Sequence, residues 1–238
     1  MTMQTSQSFT IVLPCYNPII GWEETVVDVY QELKKRLAIE IDLVIVNDGS
    51  TKNVSRKEID YLESKIPLLK YISYAENRGK GYALRKGVEN VQNFPVVYTD
   101  IDFPYTTESF LSIYKTVNQG KVDVALGNRD QSYYENTPLV RKLISQTLRA
   151  SFKFFLKLPT DDTQCGIKGF NEKGALLFLT TTIDRFLFDL EFVKLIGKRK
   201  LKYSTVHVDL KPNIVFSKVN PKILAKESFN FLKVLMRK

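Results

Sequence analysis

The chain has 238 residues, of which 44% are apolar and 26% charged, and its net charge is +9. These values are ordinary for a soluble globular protein with one sizeable core, and two cysteines are too few for a disulfide framework. No apolar run reaches the ~20 residues of a membrane span, residues 1–8 lack the apolar core of a signal peptide, and the positive charge favours anionic partners such as nucleotides, phosphorylated lipids or a membrane surface.

Apolar β-type runs alternate with amphipathic helical patterns through the first half of the chain. The sequence predicts strands at residues 9–13, 41–47, 69–74, 94–99 and 122–127. It predicts helices at residues 22–37, 54–64, 81–91 and 107–118. Strand–helix–strand units join through right-handed crossovers, so we expect an α/β fold with a mostly parallel, Rossmann-like sheet flanked by helices.

The second half has a different pattern. Helices are predicted at residues 138–158, 173–179 and 221–238, and a strand at residues 202–210. The first and last of these helices are basic and amphipathic, which is typical of membrane-surface elements. Packing of an apolar stripe on the protein's own core explains the same pattern equally well. We expect a single domain over residues 1–238.

A polar cluster follows each strand of the first half. The clusters comprise residues 14–18, 47–51, 76–81, 100–102 and 128–130. Ligands bind outside the carboxyl ends of the strands in open α/β sheets, so we expect these clusters to form one site. Taken alone, residues 47–51 (Asn-Asp-Gly-Ser-Thr) also fit an ordinary turn with a helix cap.

Asp100 and Asp102 stand one residue apart where a buried strand is predicted to end. Residues i and i+2 of an extended segment project to the same side, and two carboxylates held together repel unless a cation or proton lies between them. Mg²⁺ and Mn²⁺ take oxygen ligands, and Mg²⁺ is typically held by one or two carboxylates plus substrate phosphates. The pair therefore predicts a divalent-metal site that receives a diphosphate. The alternative is a solvated pair that opens a loop.

Six segments together resemble the signature of family 2 glycosyltransferases with the GT-A fold. They are IVLPCYNP, VNDGSTK, NRGKGYALRKGV, YTDIDFPY, GNRD and DTQCGIKGF, in that order. Within the family they are most similar to dolichyl-phosphate β-glucosyltransferases and polyprenyl-phosphate mannosyltransferases. The resemblance implies a nucleotide-sugar-binding half at about residues 8–130 and an acceptor-binding half at about residues 131–238.

The same resemblance implies roles for individual residues. Those implied to line the base and ribose of a UDP- or GDP-sugar are Pro14, Tyr16, Asn17 and Asp48. Arg78 and Lys80 are implied to approach the donor side of the cleft, and Asp100 and Asp102 to hold the nucleotide with its Mg²⁺ or Mn²⁺. Arg129 is implied to face phosphate, and Asp102 and Arg129 are candidate catalytic residues. Those implied to meet the acceptor are Gln164, Arg141, Ser217 and Lys218.

The implied reaction is an inverting transfer of a hexose. A polyprenyl or dolichyl phosphate acceptor needs no general base, because a phosphate monoester is largely a dianion at pH 7. A glycan hydroxyl needs a base, and Asp189 and Glu191 in the segment FDLE are the candidates. Both residues also fit the start of a helix, where acidic side chains favour the dipole. We expect a peripheral position at the cytoplasmic face of a membrane.

Other functional classes lack their motifs. Pro-Cys-Tyr-Asn-Pro stands where a dinucleotide-binding fold has its glycine-rich turn, and the chain has no P-loop. Basic charge without a recognised motif disfavours nucleic-acid binding. A catalytically silent nucleotide-sugar-binding module is the alternative to an enzyme, and the intact acidic pair disfavours it.

Overall fold

The computed structural model describes residues 8–129, 158–160, 162–212, 230, 231 and 234. The strands in this part of the chain are β1 Ser8–Cys15, β2 Glu40–Asp48, β3 Leu69–Tyr74, β4 Val96–Tyr98, β5 Val124–Arg129, β6 Lys168–Phe170 and β7 Tyr203–Val208. The helices are α1 Trp22–Leu37, α2 Arg56–Lys65, α3 Lys80–Val88, α4 Thr107–Asn118, α5 Glu172–Leu179 and α6 Phe188–Arg199.

All seven strands form one sheet in the order β3-β2-β1-β4-β6-β5-β7. Every pairing is parallel except those of β6, which runs antiparallel to both β4 and β5. The predicted α/β fold with a mostly parallel sheet is confirmed. β6 was not predicted, and it inserts a segment of the second half between two strands of the first half.

The core lies on both faces of the sheet, because the buried strands are apolar on both sides. Along β1, Ile11 and Leu13 pack with α1, α2 and α4, whereas Val12 packs with α3, α5 and α6. The alternation follows from the two-residue period of a strand. Burial of each large apolar side chain contributes about 1.5–3 kcal/mol.

Side-chain caps fix where several helices begin. Ser55 and Glu58 form a reciprocal capping box at α2, and Thr106 accepts a hydrogen bond from the N–H of Ser109 at the start of α4. Asn171 caps α5 in the same way. Each such cap contributes roughly 1 kcal/mol.

The reversed direction of β6 matters for the site. Parallel strands such as β4 have their carboxyl ends at one edge, so an antiparallel neighbour begins at that edge. Residues 162–167, which precede β6, therefore lie beside the residues that follow β4. No helix within the described residues has the length and apolar character needed to cross a bilayer.

Candidate active site

The acid pair, Asp100 and Asp102, follows β4 at the carboxyl edge of the sheet. Asp100 Oδ1 lies 2.6 Å from the Nζ atom of Lys80, and Asp102 is exposed. Although Asp102 is exposed, its carboxyl is partly shielded from water by its surroundings, which raises its pKa, and the negative charge of Asp100 raises it further. The charge of Asp100 thus disfavours ionisation of Asp102, and the role of the pair as metal ligands stays a prediction.

Lys80 is the first residue of α3 and the nearest cation to Asp100. Burial lowers its pKa, but Asp100, Asp189 and Asp102 raise it by more, so the net pKa is raised. The ammonium group is consequently charged at neutral pH. The structure thus joins two motifs that lie about twenty residues apart in the sequence.

Asp48 holds the loop that positions Lys80. Its carboxylate accepts hydrogen bonds from Asn77 Nδ2 at 2.8 Å, from the N–H of Arg78 at 2.8 Å and from the N–H of Gly79 at 2.9 Å. Only 2% of Asp48 is exposed. Asp48 lies at the predicted end of β2, but its carboxylate is directed into this loop. Arg78 is exposed on the same loop, with its guanidinium over the ring of Tyr82.

The loops after β1 and β2 are tied together beside Asp48. Asn17 Oδ1 accepts hydrogen bonds from the N–H groups of Thr51 and Lys52, and its own N–H donates to Ser50 Oγ at 3.0 Å. Pro14 is buried beneath this contact, and 51% of Tyr16 is exposed at its rim. An exposed aromatic ring on a fixed loop is suited to stacking on a planar ligand.

The loop that precedes β6 lies close to Asp100, one member of the acid pair. A Cβ atom at Gly166 would lie 2.8 Å from Asp100 Oδ2 and 3.7 Å from Lys80 Nζ, so a side chain has no room there. The N–H of Gly166 donates to the hydroxyl of Tyr105 at 2.8 Å, which fixes the loop. Gln164 is exposed on the same loop.

Arg129 is engaged by Asp162 in this structure. Its Nε and Nη2 atoms donate to the two carboxylate oxygens at 2.8 and 2.7 Å, and its backbone N–H donates at 3.0 Å. Burial lowers the pKa of Arg129, and the Asp162 carboxylate raises it by more. The guanidinium of Arg129 anchors the loop before β6 to the end of β5 in this structure, and its contact with phosphate stays a prediction.

Asp189 and Glu191, the predicted bases, are both buried in the first turn of α6. Asp189 Oδ1 accepts hydrogen bonds from Lys168 Nζ and Tyr98 Oη, both at 2.6 Å. Glu191 accepts from the N–H groups of Thr182 and Ile183 at 2.8 and 3.0 Å. Both carboxylates thus support the fold, and neither is exposed to an incoming hydroxyl.

Three predicted acceptor residues, Arg141, Ser217 and Lys218, lie outside the described residues, as do the helices predicted at 138–158 and 221–238. The sequence analysis missed two lysines. Lys168 is fully buried in a three-residue strand, for which no local pattern exists. Lys211 interacts electrostatically with Asp102, and only the long-range packing of the segment after β7 brings it there.

The donor set fits a divalent ion that arrives with phosphate ligands. Within the described residues no cluster of three or more His, Cys, Asp or Glu side chains exists, so the acid pair supplies the carboxylates. One or two carboxylates are the usual protein contribution to a magnesium–phosphate site. The arrangement can therefore bind a metal–diphosphate unit between Asp100, Asp102 and Lys80.

An open α/β sheet of this kind defines a class of protein that binds ligands at the carboxyl edge of its strands, where the acid pair lies. The family model described as glycosyl transferase family 2 matches residues 10–176, and the chain belongs to this family. Dolichyl-phosphate beta-glucosyltransferase of Dictyostelium discoideum is 26% identical over 216 residues, which cover 84% of this chain and 65% of that protein. The protein of the same name from Saccharomyces cerevisiae is 23% identical, over 84% of this chain and 65% of its own length. The chain thus spans about two thirds of these relatives.

Solved structures share the GT-A fold with this chain. Mannosyl-3-phosphoglycerate synthase from Rubrobacter xylanophilus superposes with a TM-score of 0.69 at 15% identity, covering 97% of this chain and 73% of that one. Glucosyl-3-phosphoglycerate synthase from Mycobacterium tuberculosis, solved with Mg²⁺ and UDP, gives 0.65 at 14% identity, covering 96% and 78%. The mannosyltransferase PcManGT from Pyrobaculum calidifontis, solved with GDP-Man and Mn²⁺, gives 0.61 at 15% identity, covering 88% and 58%. The predicted GT-A fold is confirmed.

Proposed function

We propose that the chain is an inverting glycosyltransferase that moves a hexose from a nucleotide sugar to a polyprenyl or dolichyl phosphate. The observation that carries the proposal is the acid pair at the carboxyl edge of the sheet, with Lys80 bonded to one of its members. This edge also gathers the loops after β1 and β2. Membership of the family and the similarity to dolichyl-phosphate beta-glucosyltransferases support the same reaction class.

On the donor side, Asp100 and Asp102 would hold Mg²⁺ or Mn²⁺ together with the diphosphate. A bound divalent ion supplies positive charge that stabilises the departing diphosphate. Lys80 adds a second positive charge at the same place. The base and ribose would lie across the tied loops, against Pro14, Tyr16 and Asn17. Asp48 would act through the loop that carries Arg78 and Lys80.

On the acceptor side, a phosphate oxygen attacks the anomeric carbon from the face opposite the diphosphate. The new carbon–oxygen bond forms as the bond to the diphosphate breaks, and the diphosphate leaves with the electron pair, so the configuration inverts. The attacking dianion gives up no proton. This chemistry suits a site whose predicted bases, Asp189 and Glu191, are buried and hydrogen-bonded. Gln164 lies on the loop before β6, and Arg129 holds the beginning of that loop through Asp162.

A thermal-shift screen of UDP- and GDP-sugars with and without Mn²⁺ tests the donor. A ligand at 100 times its dissociation constant stabilises the folded state by about 2.7 kcal/mol, which corresponds to a rise of roughly 5–10 °C for a chain of this size. We expect that rise for one nucleotide series, and only with the metal. No shift for any donor would contradict the proposal.

Extraction of radiolabelled product tests the acceptor. With a polyprenyl phosphate and the preferred donor, we expect the labelled sugar to partition into the organic phase. Product found only in water would favour a glycan hydroxyl acceptor in polysaccharide synthesis. Donor binding without any turnover would favour a non-catalytic binding module. A peripheral site at the cytoplasmic face of a membrane belongs to the lipid-acceptor proposal and is tested with it.

A further inference from the structure

Lys211 is held beside the acid pair by the backbone. It follows β7, and its N–H donates to the carbonyl oxygen of Pro104 at 2.8 Å. Pro104 stands two residues after Asp102. The adjacent residues Tyr105 and Leu210 form an antiparallel bridge. These contacts lock the segment that carries Lys211 to the loop that carries Asp102.

The charge of Lys211 acts on Asp102. Burial and Asp100 raise the pKa of Asp102, while Lys80 and Lys211 lower it. Burial lowers the pKa of Lys211, while Glu32 and Asp102 raise it in part. The side chain is half-buried, so a ligand in the site can still reach it.

Lys80 and Lys211 approach the acid pair from opposite layers of the fold. α3, which begins at Lys80, packs in the layer that contains α5 and α6. Lys211 interacts electrostatically with Glu32 of α1, which packs in the layer that contains α1 and α4. The two ammonium groups balance the charges of Asp100 and Asp102, so the four side chains together are neutral.

We propose that Lys211 is a phosphate-binding residue of this site, the counterpart of Lys80 on the opposite side of the acid pair. The inference rests on the proposed function, since the phosphate belongs to the donor diphosphate or to the acceptor. A divalent ion that takes the two carboxylates leaves both ammonium groups to bind phosphate oxygens. Lysine serves phosphate as a compact point charge with three donors. Lys80 follows the loop held by Asp48, and Lys211 follows β7, so the two lysines reach the acid pair from different elements.

Three variants test the assignment: Lys211→Gln, Lys211→Arg and, as a control, Lys202→Gln. Lys202 is exposed and lies just before the opposite end of β7. Affinities for UDP and GDP with Mn²⁺ are measured by calorimetry, and KM for polyprenyl phosphate by product extraction. Loss of a charged hydrogen bond predicts a tenfold or greater weakening in Lys211→Gln. We expect Lys211→Arg to retain most of the binding, and Lys202→Gln and all thermal midpoints to stay near the wild type.

The two ligands distinguish the source of the phosphate. A changed acceptor KM with unchanged nucleotide affinity assigns Lys211 to the acceptor, and the reverse assigns it to the donor. Equal values for Lys211→Gln and wild type in both measurements overturn the proposal. Inorganic pyrophosphate with Mn²⁺ separates this result from a failure of the proposed function. If wild type binds no nucleoside diphosphate, the donor proposal fails. The proposal for Lys211 is then tested by pyrophosphate binding alone. Equal affinities of wild type and Lys211→Gln for pyrophosphate overturn it.

Discussion

Asp102 differs from Asp100 in what it contributes to the fold. Its raised pKa means that the folded chain binds a proton at this carboxyl more tightly than the unfolded chain does. The ionised form therefore lowers the free energy of unfolding at neutral pH, and that loss disappears as the pH falls through the raised pKa. Asp100, by contrast, is bonded to Lys80. Asp102, whose ionised form lowers the free energy of unfolding, is the acid that lies exposed to a ligand.

Asn substitutions at the two positions should therefore have different effects on stability. We expect Asp102→Asn to leave the free energy of unfolding at pH 7 unchanged or slightly raised. Asp100→Asn should lower it by about 1–2 kcal/mol, less than for a fully buried pair, because Lys80 loses its nearest partner while remaining partly solvated. Urea denaturation at pH 7 measures both. A larger loss in Asp102→Asn than in Asp100→Asn would contradict this account.

At the scale of elements, β6 and the loop before it complete the site. A Cβ atom at Gly166 would lie 2.8 Å from the Asp100 carboxylate, and the hydroxyl of Tyr105 accepts a hydrogen bond from the N–H of Gly166. The loop has no freedom to yield, because Arg129 holds its beginning through Asp162 and β6 holds its end. Any side chain at residue 166 must displace the acid.

Gly166→Ala should weaken the binding of Mn²⁺ with a nucleoside diphosphate by tenfold or more, since the added methyl group displaces Asp100 from Lys80. Gly197→Ala in α6 is the matched control: its Cβ would meet Pro159 at 3.5 Å, an ordinary contact. A helical Gly→Ala change should raise stability by about 0.5–1 kcal/mol and leave binding unchanged. Calorimetric titration and thermal unfolding measure both quantities. Wild-type affinity in Gly166→Ala would show that the contact has no role.

The elements differ in how far the sequence determines them. α1 and α4 begin and end at the predicted residues, because each has a clear apolar stripe and acidic residues in its first turn. The acid pair was predictable from its position after an apolar run. β6 was not predictable: three residues, one of them a buried lysine, carry no strand periodicity. The hydrogen-bond partners of Asp48, Arg129 and Asp189 were not predictable either, because long-range packing brings each pair together.

At the scale of the whole molecule, a hydrogen bond from Tyr98 in the first half to a buried ion pair of the second half joins the two halves of the chain. Lys168 of β6 and Asp189 of α6 are 2.6 Å apart, and Tyr98 of β4 donates to the same carboxylate oxygen. Lys168 also donates to the carbonyl of Cys165, in the loop before β6. This polar cluster thus connects β4, the loop before β6 and α6.

Lys168→Met should lower the free energy of unfolding by about 3–5 kcal/mol, because the Asp189 carboxylate remains buried without its cation. The double variant Lys168→Met/Asp189→Leu should recover part of that loss, since it removes the unpaired charge. Chemical denaturation of both variants and of Asp189→Leu alone gives the coupling energy. Additive losses would show that the two side chains do not act as a pair.

The lysine bonded to Asp100 has a consequence for the order of events in the proposed reaction. A cation entering alone must compete with an ammonium group already in contact with its ligand. A cation entering with a nucleotide brings phosphate oxygens that can take that ammonium in exchange. If Asp100 holds the metal as proposed, metal and donor would load together, and the concentration of the metal–nucleotide complex, rather than that of the free ion, would set the rate.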